Sequence, residues 1–266
     1  LGPLELKKAA LRAAEDAGCL FVAHPEDKEI SGDGVINEGE VSEELNVSGL
    51  PREAVIRACE DWIGLAAIGA HLHLAHISTR QEVELVAGAM PAWNGRLTME
   101  TAPHYLCHTD QIVRNVGADA KVNPPLRTGK DTRALVEAVR RGAIPVIATD
   151  HAPHTPEEKS QSLTKAPFGL VGLETALAAM ITILQPQSPS DWTRLVRAMS
   201  TIPAMLLGIE AGILQQGGPA DITVIDPDAE WLVEPDDFYS KGRSTPFDGQ
   251  ILSGQVHMTI VSGDIR

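Results

Sequence analysis

Ile144-Pro145-Val146-Ile147-Ala148-Thr149-Asp150-His151-Ala152-Pro153-His154 is the stretch on which the reading of the fold turns. It opens with a short apolar, β-branched run, the length of a buried strand and too short for a helix. The run closes on Thr149 and Asp150, and Pro153 then stops regular pairing. One carboxylate and two imidazoles thus stand where a buried strand meets a loop. In a barrel of parallel strands, that edge carries the chemistry. By itself the stretch equally suits an Asp capping the next helix beside two surface histidines.

Upstream, strands and helices alternate. Residues 4–17 predict a helix stopped by Gly18, and 19–23 a short apolar strand that delivers His24 at its end. Residues 25–51 are polar and Gly-punctuated and read as a long loop with one helical turn at most. Long loops in compact domains often form site walls or lids. A helix is expected over 51–68 with Pro51 in its first turn, a strand over 71–78, and a helix over 79–90 capped by Ser78 or Thr79. Strand 97–101, helix 131–140 and strand 144–150 follow. Helices 171–184, 191–200 (capped by Asp191) and 203–207 complete the body.

Four strand–helix units imply parallel strands joined by crossover helices. They suit half of an eight-stranded α/β barrel, or a small open doubly wound sheet. No Gly-rich phosphate loop follows any strand, which disfavours a nucleotide fold. From Gly217 the composition shifts. Alternating runs at 221–225 and 255–261, with Gly, Pro and Asp between them, predict a small β unit. The expected organisation is a barrel portion over 1–212 and a β-domain segment over 213–266.

The chain is 43% hydrophobic, enough for a substantial core, and carries 22 Lys+Arg against 36 Asp+Glu, a net charge of −14. That balance argues against nucleic acid or an anionic membrane as partner, though not against a local anion pocket. No apolar run approaches the ~20 residues of a membrane span, and no signal peptide is read. Cys19, Cys59 and Cys107 are scattered and without CxxC spacing, as in a reduced, cytoplasmic chain with small buried thiols. The opening Leu1-Gly2-Pro3-Leu4 lacks an initiating Met and leads straight into a helix, so residues are expected upstream.

Three strand ends carry candidate metal ligands, His24, His76 and Asp150, and imidazole with carboxylate suits zinc and similar ions. His71 and His73 form an HxH pair, but they lie early in their strand and on the parity opposite to His76. His76 is therefore expected to face the site, and His71 and His73 to pack outward against helices. Asn123-Pro124-Pro125-Leu126-Arg127 reads as a rigid loop whose amide could bind a ligand, or as a plain polar turn. Ala166-Pro167-Phe168-Gly169 could offer backbone groups to a planar ligand, or only lead into a helix. His104 and His108 read as structural or supporting residues.

Together these residues resemble a family. Thr149-Asp150-His151-Ala152-Pro153-His154 looks like the signature of dihydroorotases in the amidohydrolase superfamily. So do Asn123-Pro124-Pro125-Leu126-Arg127, His24-Pro25-Glu26-Asp27, Glu100-Thr101-Ala102-Pro103-His104, Ala166-Pro167-Phe168-Gly169 and Gly172-Leu173-Glu174-Thr175. Gly218-Pro219-Ala220-Asp221 and Thr245-Pro246-Phe247 resemble the superfamily's composite β domain. The order is right over nearly the whole chain.

The resemblance implies the second half, about strands five to eight, of a TIM-like (β/α)8 metal-dependent hydrolase barrel, plus the C-terminal part of the β domain. It implies that His24 and His76 ligate one Zn2+ of a binuclear site. Asp150 would ligate the other and act as general acid/base. Asn123, His154, Phe168 and Gly169 would contact dihydroorotate. The implied reaction is reversible opening of the dihydroorotate ring to N-carbamoyl-aspartate in pyrimidine synthesis, by a cytoplasmic homo-oligomer.

This sequence departs from the family in one large respect. The family's first strand carries an HxH metal pair followed by a substrate-binding Arg, and its fourth strand supplies a bridging Asp or carboxylated Lys. Neither has a counterpart here, and His71-Leu72-His73 lies in the wrong strand to replace the pair. The chain then reads as a fragment, inactive alone, or as a degenerate homologue that needs a partner. Alternatives are a non-catalytic scaffold of aspartate transcarbamoylase, and an allantoinase or hydantoinase. An HxHxR upstream would favour the enzyme.

Overall fold

The computed structural model describes residues 3–65 and 67–266. In chain order its strands are β1 (Leu20–Ala23), β2 (Ile36–Asn37), β3 (Gly49–Leu50), β4 (His71–Leu74), β5 (Leu97–Thr101), β6 (Val146–Ile147), β7 (Ile222–Leu232), β8 (Ile251–Val261) and β9 (Asp264–Ile265). β1, β4, β5 and β6 form one parallel sheet, ordered as they occur along the chain. Helices Arg52–Ile63, Arg80–Ala89 and Gly129–Arg140 supply the crossovers. A doubly wound sheet reverses its strand order at a switch point. This sheet does not reverse, so it is an arc of a barrel wall.

The register assigns the two faces. Val22, His73 and Thr98 stand side by side, as do Ala23, Leu74 and Met99. Leu72, Leu74, Leu97 and Met99 belong to the buried apolar core shared with the helices. His73, Thr98 and Glu100 lie on the opposite face, where Val22 is exposed.

Local chemistry explains several element ends. Thr79 Oγ1 accepts from Glu82 N at 3.1 Å, and Glu82 Oε2 accepts from Thr79 N at 2.9 Å, a capping box that starts Arg80–Ala89. Ser188 and Asp191 do the same for Pro189–Val196, so Ser188 is the cap and Asp191 the third helical residue, contrary to the expectation of an Asp191 cap. The helix expected over 51–68 stops at Ile63, with Gly64 closing it, and Ala66 lies outside the described residues. The helix expected from 171 begins at Ala176. Strand 144–150 pairs only at Val146 and Ile147. The region 25–51 is also more ordered than a loop. It holds helices Lys28–Ser31 and Glu40–Glu44 and the parallel pair β2–β3. Arg127 pins that pair, donating from Nη1 to Asn37 Oδ1 and to the Leu50 carbonyl, both at 2.9 Å.

The β7–β8–β9 sheet is antiparallel and packs on helix Ala176–Leu184, where Thr182 Oγ1 accepts from Ser253 N at 2.8 Å. Gly254 is obligatory there, since a Cβ would come within 2.4 Å of Ile181 Cδ1 and its φ is +93°. Of the cysteines, Cys59 is buried and Cys107 partly so, but Cys19 is exposed; all are free thiols.

Candidate active site

The C-terminal ends of β1, β4, β5 and β6 converge on one cluster. His24 follows β1, and its ring stands edge-on to that of His76, centroid to centroid 5.7 Å. His76 follows β4 with a left-handed backbone, φ 59°. Its neighbours stay in the sheet: Ala75 N donates to the Ala23 carbonyl and Ile77 N to the Glu100 carbonyl. His76 is thus pushed out between two anchored residues. Asp150 follows β6 in the same conformation, φ 49°. Non-glycine residues held there cost about 1–3 kcal/mol each and concentrate at functional sites. The two strained residues face each other, His76 Nε2 lying 3.5 Å from Asp150 Oδ1.

Two further residues complete the cluster. Glu100, near the end of β5, places Oε1 3.3 Å from His76 Nδ1 and accepts from His73 Nε2 on Oε2 at 3.0 Å. His104, fully buried at the start of helix Pro103–Cys107, has Nε2 3.5 Å from Asp150 Oδ2. Neither His76 Nδ1 nor His104 Nε2 has a partner in hydrogen-bond geometry. Burial pushes the Asp150 carboxyl up to about 7, and the charge of Glu100 adds to this. Burial also lowers His76, against the pull of Glu100, and drives His104 well below the usual imidazole range. Burial thus favours the neutral form of His76 and of His104 and the protonated form of the carboxyl between them.

His73 is therefore not outward. It is buried on the site face of the sheet, with Nδ1 on Thr98 Oγ1 at 2.7 Å and Nε2 on Glu100. His71 is exposed. His76 stands beside Asp150 because the chain leaves the strand at Leu74, so strand parity no longer governs it. Glu100 entered the sequence reading only inside the motif Glu100-Thr101-Ala102-Pro103-His104 and with no role of its own, although its place near the end of β5, alternating with buried Met99, was an available signal.

Asn123 borders the cluster. Its carbonyl accepts from His24 Nε2 at 3.1 Å, and its Nδ2 donates to Glu26 Oε2 at 2.8 Å. That bond fixes the amide and leaves Oδ1 buried with no partner, an acceptor held ready. Tyr105 donates its hydroxyl to the Pro124 carbonyl at 2.7 Å and steadies the same loop. His154 Nε2 donates to the Phe168 carbonyl at 2.9 Å, tying two more candidate residues together. A Cβ at Gly169 would meet Ala152 O at 2.5 Å, so that backbone passes closely. His151 is structural: its Nδ1 accepts from Gly172 N and Leu173 N.

Imidazole and carboxylate are suitable donors for a divalent metal, and His76 Nε2 and His104 Nε2 both face the Asp150 carboxyl at 3.5 Å. Among the described residues, however, no group of three or more His, Cys, Asp or Glu is arranged to hold a metal ion. The donor chemistry fits; a complete ligand shell is not formed by these side chains alone.

The amidohydrolase family model matches residues 4–266. The dihydroorotase of Caldanaerobacter subterraneus subsp. tengcongensis is 44% identical over 93% of this chain and 57% of its own length. That of Pelotomaculum thermopropionicum is 43% identical over 98% of this chain and 61% of its own. This chain thus spans less than two thirds of those relatives. Among solved structures, the L-hydantoinase (dihydropyrimidinase) of Arthrobacter aurescens superposes with a TM-score of 0.85 at 27% identity, covering 98% of this chain and 60% of that one. The D-hydantoinase of a Thermus species gives 0.85 at 21%, a likeness of fold alone, covering 97% and 59%. The parallel arc and the antiparallel sheet are thus the matching portions of an amidohydrolase barrel and its β domain.

Proposed function

The chain belongs to the amidohydrolase family, and we propose that its protein is a dihydroorotase, opening the ring of dihydroorotate to N-carbamoyl-aspartate and closing it in reverse. Water adds across the ring C–N bond: hydroxyl goes to the carbonyl carbon and a proton to the leaving nitrogen. The observation that carries this reading is Asp150. It is a half-buried carboxyl at a strand end, with His76 and His104 each 3.5 Å from one of its oxygens. A carboxylate so placed can take a proton from water and hand it to nitrogen.

The metal in this proposal is a zinc pair, with His24 and His76 as ligands of one ion and Asp150 as ligand of the other. Such ions supply an acidified water and polarisation of the ring carbonyl. Asn123 Oδ1, fixed by Glu26, accepts an N–H of the substrate. His154, Phe168 and Gly169 are its further contacts. Pyrimidine synthesis, a cytoplasmic homo-oligomer and an association with aspartate transcarbamoylase are proposed on the same footing. Identity supports dihydroorotate over hydantoins, at 44% to a dihydroorotase and 27% to a hydantoinase.

Hydantoinase chemistry is the second reading, because the backbone superposes so well on the Arthrobacter enzyme. The test is turnover by the full-length, zinc-loaded protein of dihydroorotate, hydantoin and dihydrouracil side by side. Preference for dihydroorotate in kcat/KM is expected. Preference for either other ring would replace the proposal.

A further inference from the structure

Two lysines outside the cluster are almost fully buried, Lys121 at 2% and Lys159 at 6% exposure. Among the described residues neither makes an ion pair. Both spend their ammonium donors on backbone carbonyls of a single segment, residues 163–169. Lys121 Nζ donates to the Leu163 and Ala166 carbonyls, both at 2.7 Å, and reaches that of Thr164 at 3.5 Å. Lys159 Nζ donates to the Gly169 carbonyl at 2.7 Å and to that of Pro167 at 3.1 Å. The Phe168 carbonyl is taken by His154, and Lys121 Nζ also lies 4.5 Å from the centre of the Phe168 ring. Gly169 N in turn donates to the Lys121 carbonyl at 2.9 Å.

Burying an ammonium without a carboxylate is costly, and its hydration must be replaced by other dipoles. Here carbonyls replace it. A neutral donor would tie a loop at lower cost, so the charge itself calls for a reason. The segment these cations hold is the one assigned to the substrate, and that substrate is an anion in a protein of net charge −14. Two fixed positive charges behind it give a local field of the opposite sign.

We propose that Lys121 and Lys159 are positioning residues for an anionic substrate, holding the 167–169 backbone in its binding conformation and lending it positive potential. This rests on the reading of Phe168 and Gly169 as substrate contacts. Burial draws Lys159 down to about 8, with the charge of Asp119 opposing this and that of Lys121 adding to it.

The test uses the full-length zinc-loaded protein with Lys121→Met and Lys159→Met, and with Lys121→Arg and Lys159→Arg to keep the charge. In the Met variants KM for dihydroorotate should rise roughly tenfold or more with kcat and zinc content nearly unchanged, which is loss of binding and not of chemistry. The Arg variants should recover most of that loss. Amide exchange should accelerate in residues 163–169 of the Met variants and nowhere else. Unchanged KM in folded Met variants, or a KM in folded Arg variants raised as far as in the Met variants, would overturn the proposal. Should the parent protein not turn over dihydroorotate, the substrate assignment falls, and the exchange measurement decides the clamp alone: unchanged protection of 163–169 sinks it, selective loss upholds it.

Discussion

Glu100 Oε1 lies 3.3 Å from His76 Nδ1 while its other oxygen accepts from His73 Nε2 at 3.0 Å. A carboxylate beside the far nitrogen of an imidazole raises its basicity toward a metal, and Glu100 acts on His76 in this way by its charge, since Nδ1 has no partner in hydrogen-bond geometry. His73 in turn holds the carboxylate from behind. Glu100→Gln should therefore lower zinc affinity on the order of 10–100-fold, with the fold retained. Competition with a chromophoric chelator reads the affinity directly. Unaltered affinity in a folded Glu100→Gln protein would remove Glu100 from this role.

Asp150→Asn keeps the side chain's shape and its reach to His76 and His104, but it cannot accept a proton. The loss should fall on kcat by several orders of magnitude, with circular dichroism unchanged. A folded Asp150→Asn enzyme that retains near-normal kcat would assign the proton transfer elsewhere.

Asn123→Ala and His154→Ala remove groups held at the edge of the cluster, with Asn123 Oδ1 unpartnered and His154 on the Phe168 carbonyl. KM for dihydroorotate should rise about tenfold or more in each, with metal content intact by elemental analysis. Loss of zinc in either variant would transfer that residue to the metal's ligands.

Much of the fold was legible because it is written locally. β5 spans residues 97–101, as expected from the sequence, and the Thr79–Glu82 capping box starts its helix where the sequence places it. The site was legible only in part. Alternation tells which residues share a face of a strand, but not which face looks toward the site, and His73 was misassigned for that reason. Nor does it apply beyond the strand, where His76 and Asp150 take left-handed backbones imposed by anchored neighbours. Glu100 carries no local motif that names its partners. Lys121 and Lys159 bind carbonyls, and every residue type has one, so no side-chain pattern could mark them. The parallel pair β2–β3 depends on a buried Arg127 far along the chain.

His108 gives a test of stability that is independent of substrate. Its ring packs on Phe247, centroids 4.5 Å apart, its Nε2 is buried without a partner, and burial lowers it to about 4 from an ordinary 6.5. The sign follows from proton counts. Between pH 6.5 and about 4 the unfolded chain binds a proton at this site that the folded protein refuses. Stability is therefore fully present above the unfolded value and falls as pH drops through that window. The shift corresponds to about 3 kcal/mol when complete, as an order of magnitude. His104, also lowered by burial, contributes a loss of the same sign. His108→Phe keeps an aromatic ring against Phe247 and has nothing to titrate. Urea unfolding at pH 7 and pH 4.5 should then show a smaller loss for His108→Phe than for the parent, by about 2–3 kcal/mol. Equal losses in the two proteins would mean that the folded state accepts the proton on His108, by opening a path to water at its buried Nε2.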